Sequence, residues 1–127
     1  MALILDTNAL SAFADGDEKL LRVLEEESEL ALPVVALGEY LYGIGRSRLR
    51  KTYEEWLDAN ISLFMLLSIE RETSKRYAEI RYELKAAGSP IPTNDLWIAA
   101  LAREHHLPVL SRDSHFQAVR NLRRVAW

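Results

Sequence analysis

The feature that most constrains this chain is the run Ala2-Leu3-Ile4-Leu5, four apolar residues without alternation, stopped by Asp6-Thr7-Asn8. Alternation marks a strand with one wet face. Its absence over so short a run marks a strand covered on both faces, as in a parallel sheet between helices. In open α/β sheets chemistry collects just beyond the carboxyl ends of the strands, so Asp6 stands where a catalytic carboxylate belongs. A plainer reading competes with this one: Asp and Thr are good N-caps, and Asp6 or Thr7 can simply start the next helix.

The rest of the chain continues the pattern. Thr7 to Phe13 reads as a short helix closed by Ala14-Asp15-Gly16-Asp17, and Leu20, Leu21, Val23 and Leu24 mark an amphipathic helix to about Glu27. Leu30-Ala31-Leu32 is a short strand closed by Pro33, and Leu63 to Leu67 reads as a third buried strand. Between them, Val34 to Ile44 is apolar nearly all round, the pattern of a helix deeply buried or covered by a partner chain. A helix over Leu49 to Ile61 follows, with Tyr53, Trp56 and Leu57 as its apolar side. The longer helix Glu70 to Ala87 is stopped by Gly88-Ser89-Pro90-Ile91-Pro92.

Thr93-Asn94-Asp95 opens the next helix, with Thr93 or Asn94 as its cap and Asp95 in the first turn, where the helix dipole favours negative charge. Pro108-Val109-Leu110 is a fourth strand ending in Ser111-Arg112-Asp113. A short helix from Ser114 and a last strand near Arg124-Val125-Ala126 complete the chain. Strands alternating with helices predict an α/β fold, a parallel sheet with helices on both faces joined by right-handed crossovers. With 127 residues and neither repeat nor linker, the expectation is a single domain over 1–127.

Composition narrows the chemistry. The absence of cysteine excludes a disulfide framework, a thiol nucleophile and a thiolate metal site, and fits a reducing compartment. Asp6 breaks the N-terminal apolar run after four residues, which argues against a signal peptide or a membrane span, so the expected location is cytoplasmic. A formal net charge of -3 ordinarily counts against nucleic-acid binding. It counts less where acids are gathered round cations that reverse the local field.

Four acids share a structural address: Asp6 and Asp113 each follow a buried strand, Asp95 opens a helix after a Pro-rich loop, and Glu39 lies about two turns into the helix after the second strand. Glu39 is the only charge of that helix and is costly there unless exposed, paired or bound to a metal. On one sheet all of these places can face the same end. Like charges gathered at low dielectric repel and destabilise the fold unless cations are bound. Hard oxygen donors, without Cys and with no obligatory His, select Mg²⁺ or Mn²⁺ over Zn²⁺. Two such ions about 4 Å apart suit in-line attack at a phosphodiester.

With these residues in place, the chain resembles the PIN-domain family, specifically the VapC-type toxins of prokaryotic toxin–antitoxin pairs. The resemblance runs over almost the whole sequence. It rests on Leu5-Asp6-Thr7-Asn8, on Glu39 followed by Gly43-Ile44, on Asn94-Asp95 leading into Trp97-Ile98-Ala99-Ala100, and on Ser111-Arg112-Asp113 with His115-Phe116. It implies that the catalytic and metal-site acids are Asp6, Glu39, Asp95 and Asp113, with Thr7, Asn8, Asn94 and Ser111 as supporting polar residues. The family often carries a further acid near the last motif; here that neighbourhood reads Ser114 and His115.

The resemblance also implies a three-layer PIN-like fold with about five parallel strands, the first at the centre. The implied activity is an Mg²⁺- or Mn²⁺-dependent endoribonuclease that hydrolyses RNA phosphodiester bonds with metal-activated water. Its partners would be a cognate antitoxin and a second copy of the chain. Arg46, Arg48, Arg50, Lys51 and Arg112 are the candidates for RNA phosphate contacts, although a charge run is more often a solvated face. His105, His106 and His115 read most simply as surface or packing residues, with at most a minor role for His115.

Two rivals belong to other classes. One is a PIN scaffold kept for binding with catalysis lost, which the intact acids oppose. The other is a receiver-like phosphoacceptor domain. That fold needs an Asp after a central strand and a Lys after the last but one, whereas the third strand here ends in Leu67-Ser68-Ile69 and Ser111-Arg112-Asp113 supplies no Lys.

Overall fold

A computed structural model describes residues 2–127. Five parallel strands form one sheet: β1 (Ala2–Leu5), β2 (Glu29–Pro33), β3 (Phe64–Leu67), β4 (Val109–Leu110) and β5 (Arg124–Val125), in the order β3-β2-β1-β4-β5. The central place of β1 follows from its composition, since Leu3, Ile4 and Leu5 are all 0% exposed and only a strand covered on both faces can bury all of them. Four helices lie between β1 and β3: α1 (Thr7–Ala14), α2 (Glu18–Glu25), α3 (Val34–Ile44) and α4 (Arg50–Asn60). Two more, α5 (Arg71–Ala86) and α6 (Thr93–His105), form the return crossover from β3 to β4 and pack on each other. Right-handed crossovers put the first set on one face and the second on the other. The three-layer α/β expectation is therefore met. The strand order also separates the fold from a receiver domain, whose sheet runs 2-1-3-4-5.

Local chemistry sets the helix boundaries. Asp6 caps α1, its side chain accepting from Thr7 N at 2.8 Å, and Asp17 caps α2 by accepting from Leu20 N at 3.1 Å. Glu70 and Thr73 form a capping box at the start of α5. The expected cap of α6 does not form: Pro92 is its N-cap residue, with no side-chain bond, so Thr93, Asn94 and Asp95 are the first three helical residues. Pro is well placed at this boundary, because its missing N–H is one of those a helix start leaves unused.

One expectation of burial is corrected, and for α3 one of two alternatives is removed. The third strand is an edge strand pairing only with β2, so Met65 and Leu66 remain 45% and 46% exposed, and Leu63 falls in a 3₁₀ turn before it. Helix α3 is neither engulfed nor covered within the chain. Ala36, Tyr40 and Ile44 face the core, while Val34, Leu41 and Tyr42 face outward, Tyr42 at 70% exposure. Trp56 packs edge-on against Phe13 at 5.2 Å. Among the described residues no helix is long and apolar enough to cross a membrane.

Candidate active site

The chain reverses its direction of travel across the sheet at β1, which has β2 on one side and β4 on the other. A crevice opens outside the carboxyl ends of strands at such a switch point. Register places the first polar groups of the site there. Ile4 and Leu5 pair with Val109 and Leu110, so the next residues, Asp6 and Ser111, stand side by side beyond the last ladder pair. The Ser111 hydroxyl donates to Asp6 Oδ2 at 2.7 Å, and Asn8 Nδ2 lies 3.4 Å from the same oxygen and 3.3 Å from Ser111 Oγ. The Asn8 side-chain oxygen accepts from Arg112 N at 3.2 Å, which ties the loop after β4 to the start of α1. Asp6 thus caps a helix and anchors a polar network, and it is only 4% exposed.

The other acids arrive from three further elements. Thr7 donates through Oγ1 to Glu39 Oε1 of α3 at 3.1 Å. Asp113 reaches the network through its backbone, its N–H donating to Ser111 Oγ at 2.9 Å. Asp95 sits 9% exposed in the first turn of α6, with its Oδ2 2.9 Å from His115 Nδ1. That same ring nitrogen lies 2.9 Å from Asp113 Oδ1, which also accepts from the His115 backbone N–H. Asp95, Asp113 and His115 bring ligand atoms within 4.8 Å of one another.

Charge is under strain here. Burial raises the Asp6 carboxyl above the usual range, and the charges of Asp95 and Glu39 add to the rise, against the lowering effect of the Ser111 and Thr7 bonds. Burial likewise raises Asp95, with Asp113 and Glu39 adding and the His115 contact opposing. The Asp95 carboxylate, helped by Asp113, raises the His115 imidazole. Among the described residues none of the four acids pairs with a lysine or arginine; His115 is their only cationic neighbour, and only when protonated. Clustered carboxylates and hydroxyls short of positive charge are a donor set that fits a hard divalent cation.

The PIN domain family model matches residues 3–122. The chain belongs to the PIN domain family. Among PIN relatives, Ribonuclease VapC2 of Rickettsia felis is 28% identical over 132 residues, covering 100% of this chain and 98% of its own. Ribonuclease VapC4 of Mycobacterium tuberculosis is 31% identical over 97 residues, covering 72% of each chain. In three dimensions, the crystal structure of VapBC2 from Rickettsia felis bound to a DNA fragment from their promoter superposes with a TM-score of 0.91. That match covers 100% of this chain and 99% of the other, and at 24% identity it speaks to the fold.

Within this PIN fold the sequence-derived residues divide into two groups. Asp6, Thr7, Asn8, Glu39, Asp95, Ser111 and Asp113 come together at the switch point, with Asn94 exposed beside Asp95. Three of the basic candidates are engaged by neighbours. Arg50 is engaged by Glu54 at 2.6 Å, Arg46 lies over the Tyr42 ring at 5.0 Å, and Arg112 lies over Trp127 at 4.6 Å and 3.4 Å from Asp17. Arg48 and Lys51 are exposed.

Sequence reasoning undervalued His115. The signal was its place two residues after Asp113, a spacing at which the Asp side chain can accept the His backbone N–H and turn the ring back over the acids.

Proposed function

We propose that this chain is a metal-dependent endoribonuclease, the toxin of a VapBC-type toxin–antitoxin pair, acting on RNA in the cytoplasm. One observation carries the reading. Four acids from four separate elements converge at the switch point with no lysine or arginine to neutralise them. A fold tolerates such a cluster when it serves a cation or a reaction. Asp6, Asp95 and Asp113 would hold Mg²⁺ or Mn²⁺ directly, and Glu39 directly or through water. A bound divalent ion supplies Lewis-acid charge to the phosphate and lowers the pKa of an attacking water.

The chain's own residues do the positioning. Ser111, Thr7 and Asn8 hold the Asp6 carboxylate in one orientation. His115 keeps Asp95 and Asp113 together while offering a proton donor next to the place where phosphate charge builds. The VapC names of the relatives support RNA as substrate, and the VapBC assemblies among the structural neighbours support an antitoxin partner. We also propose a homodimer, with the outward apolar residues of α3 and β3 as surface for contacts between chains.

The test is cleavage of total cellular RNA by the purified protein with Mn²⁺ or Mg²⁺, beside an EDTA control and Asp6→Asn. A discrete metal-dependent fragment, absent with the variant, is the expected result. Equal cleavage by Asp6→Asn would overturn the reading.

A further inference from the structure

Beside the acidic cluster lies a cavity of about 260 Å³ between α1, α3 and α4. It shares Thr7 and Glu39 with the cluster, so a chain lying across the acids places its neighbouring unit here. Its wall is mixed, more apolar than polar, and carries no lysine or arginine side chain. Ser11 and Ser47 contribute hydroxyls, and Tyr53 donates its hydroxyl to Asp15 Oδ1 at 2.9 Å, leaving the other Asp15 oxygen uncommitted.

Tyr40, only 3% exposed, closes the inner side, and its hydroxyl has no hydrogen-bond partner. Burial and the nearby Asp15 push that phenol up to about 12, so it stays neutral and able to donate. Gly43 lines the cavity from within α3, and a Cβ built there meets nothing within 4 Å. The missing side chain therefore leaves the cavity open rather than allowing a close approach.

Resting on the nuclease reading above, we propose that this cavity receives the nucleobase next to the scissile phosphate and selects a base with N–H donors, guanine above the others. Size favours one heterocycle, since the space falls just below the roughly 300–1,000 Å³ of sites for larger ligands. Chemistry favours a base over a phosphate, because the wall offers hydroxyls, the Asp15 and Glu39 carboxylates and two aromatic rings but no cationic side chain. A carboxylate accepts from the N–H groups of a base edge, and guanine presents two of them side by side. Unstacked RNA bases are read in this way, by edge bonds and by aromatic faces. Arg46 and Arg48 flank Ser47 in sequence and are exposed, which places cations near the mouth for the phosphates.

The experiment has two arms. In the first, the metal-free protein is titrated with adenosine, guanosine, cytidine and uridine, and backbone amide shifts are followed by NMR. Guanosine is expected to move Thr7, Gly43 and Ser47 at about tenfold lower concentration than uridine. In the second, short RNAs of randomised sequence are cleaved. The wild type is expected to show a guanine preference of about tenfold beside the cut, reduced to near unity in Gly43→Leu. Gly43→Leu fills the cavity and raises helix propensity, so its melting temperature does not fall. Tyr40→Phe removes an unpartnered hydroxyl and should weaken the preference without lowering stability.

An unchanged preference in both variants, or no nucleoside shifts at the cavity, overturns the inference. Seating of an antitoxin segment there with no nucleoside response also overturns it and assigns the cavity to protein. The arms separate the two readings. Asp6→Asn as active as wild type sinks the nuclease, whereas a dead Asp6→Asn with no base response sinks only the cavity.

Discussion

Acids occur in two settings in this protein, and their contrast is instructive. On α5, Glu72 is held by Arg76 and Lys75, and Glu83 by a two-pronged contact with Arg103 at 2.7 and 3.0 Å, with Glu79 bonded to Arg76. Arg76 holds Glu72 below the usual carboxylate range, and Arg103 does the same for Glu83. At the switch point the Asp6 and Asp95 carboxyls shift the other way, because burial is not offset by a lysine or arginine. Glu83 joins α5 to α6 through Arg103, which also donates to the Arg120 carbonyl at 3.0 Å. The switch-point acids oppose the fold that carries them, which is the mark of groups kept for function.

The largest expected effect tests the switch-point side of this contrast. Asp6→Asn should lower metal-dependent RNA cleavage by roughly a hundredfold or more, the scale of losing one transition-state group. Asn caps a helix as well as Asp does, so the same variant should keep its fold, and calorimetry should show its metal-free form melting no lower than wild type. Adding Mg²⁺ or Mn²⁺ should raise the wild-type melting temperature by mass action and leave the variant nearly unmoved. His115→Ala comes next, with an expected loss of about tenfold in cleavage, since it positions two acids rather than replacing them. A full loss would instead place the imidazole among the indispensable groups.

Arg103→Ala should cost about 1–2 kcal/mol in denaturant unfolding, as it strands a partly buried Glu83 and a carbonyl, while cleavage per folded molecule stays the same. Reduced specific activity would break the division into structural and functional acids.

The pH dependence follows from signs. Asp6 and Asp95 bind protons more tightly folded than unfolded, so they favour the metal-free fold as pH falls through their raised values. His115, also raised, contributes stability at low pH that is lost as pH rises through its folded value. Glu83 runs the other way, its contribution being lost as pH falls through its lowered value. Metal-free protein should therefore melt highest on the acid side of neutrality, and metal should move that optimum upward.

The smallest effect is expected from the exposed Arg50–Glu54 pair: Arg50→Ala should melt with the wild type, because exposed pairs are screened and contribute little.

Much of what depends on neighbours along the chain was legible before the fold was known, the cap of α6 excepted. The unalternating run before Asp6 required a covered central strand, and the alternation of short strands with helices required a parallel sheet. The acids at strand ends and helix starts were visible as candidates because those positions share one end of any such sheet. Tertiary structure decided what depends on register and on which helix passes which. Asp6 meets Ser111 because β1 pairs with β4 two residues earlier, a relation across 105 positions that no local pattern encodes.

Met65 and Leu66 looked buried because an apolar run reads alike in a central and an edge strand, and only the strand order separates them. The cavity behind Gly43 is likewise invisible in sequence. It is a space left where α1, α3 and α4 approach, and a space is set by the packing of three helices rather than by any one of them.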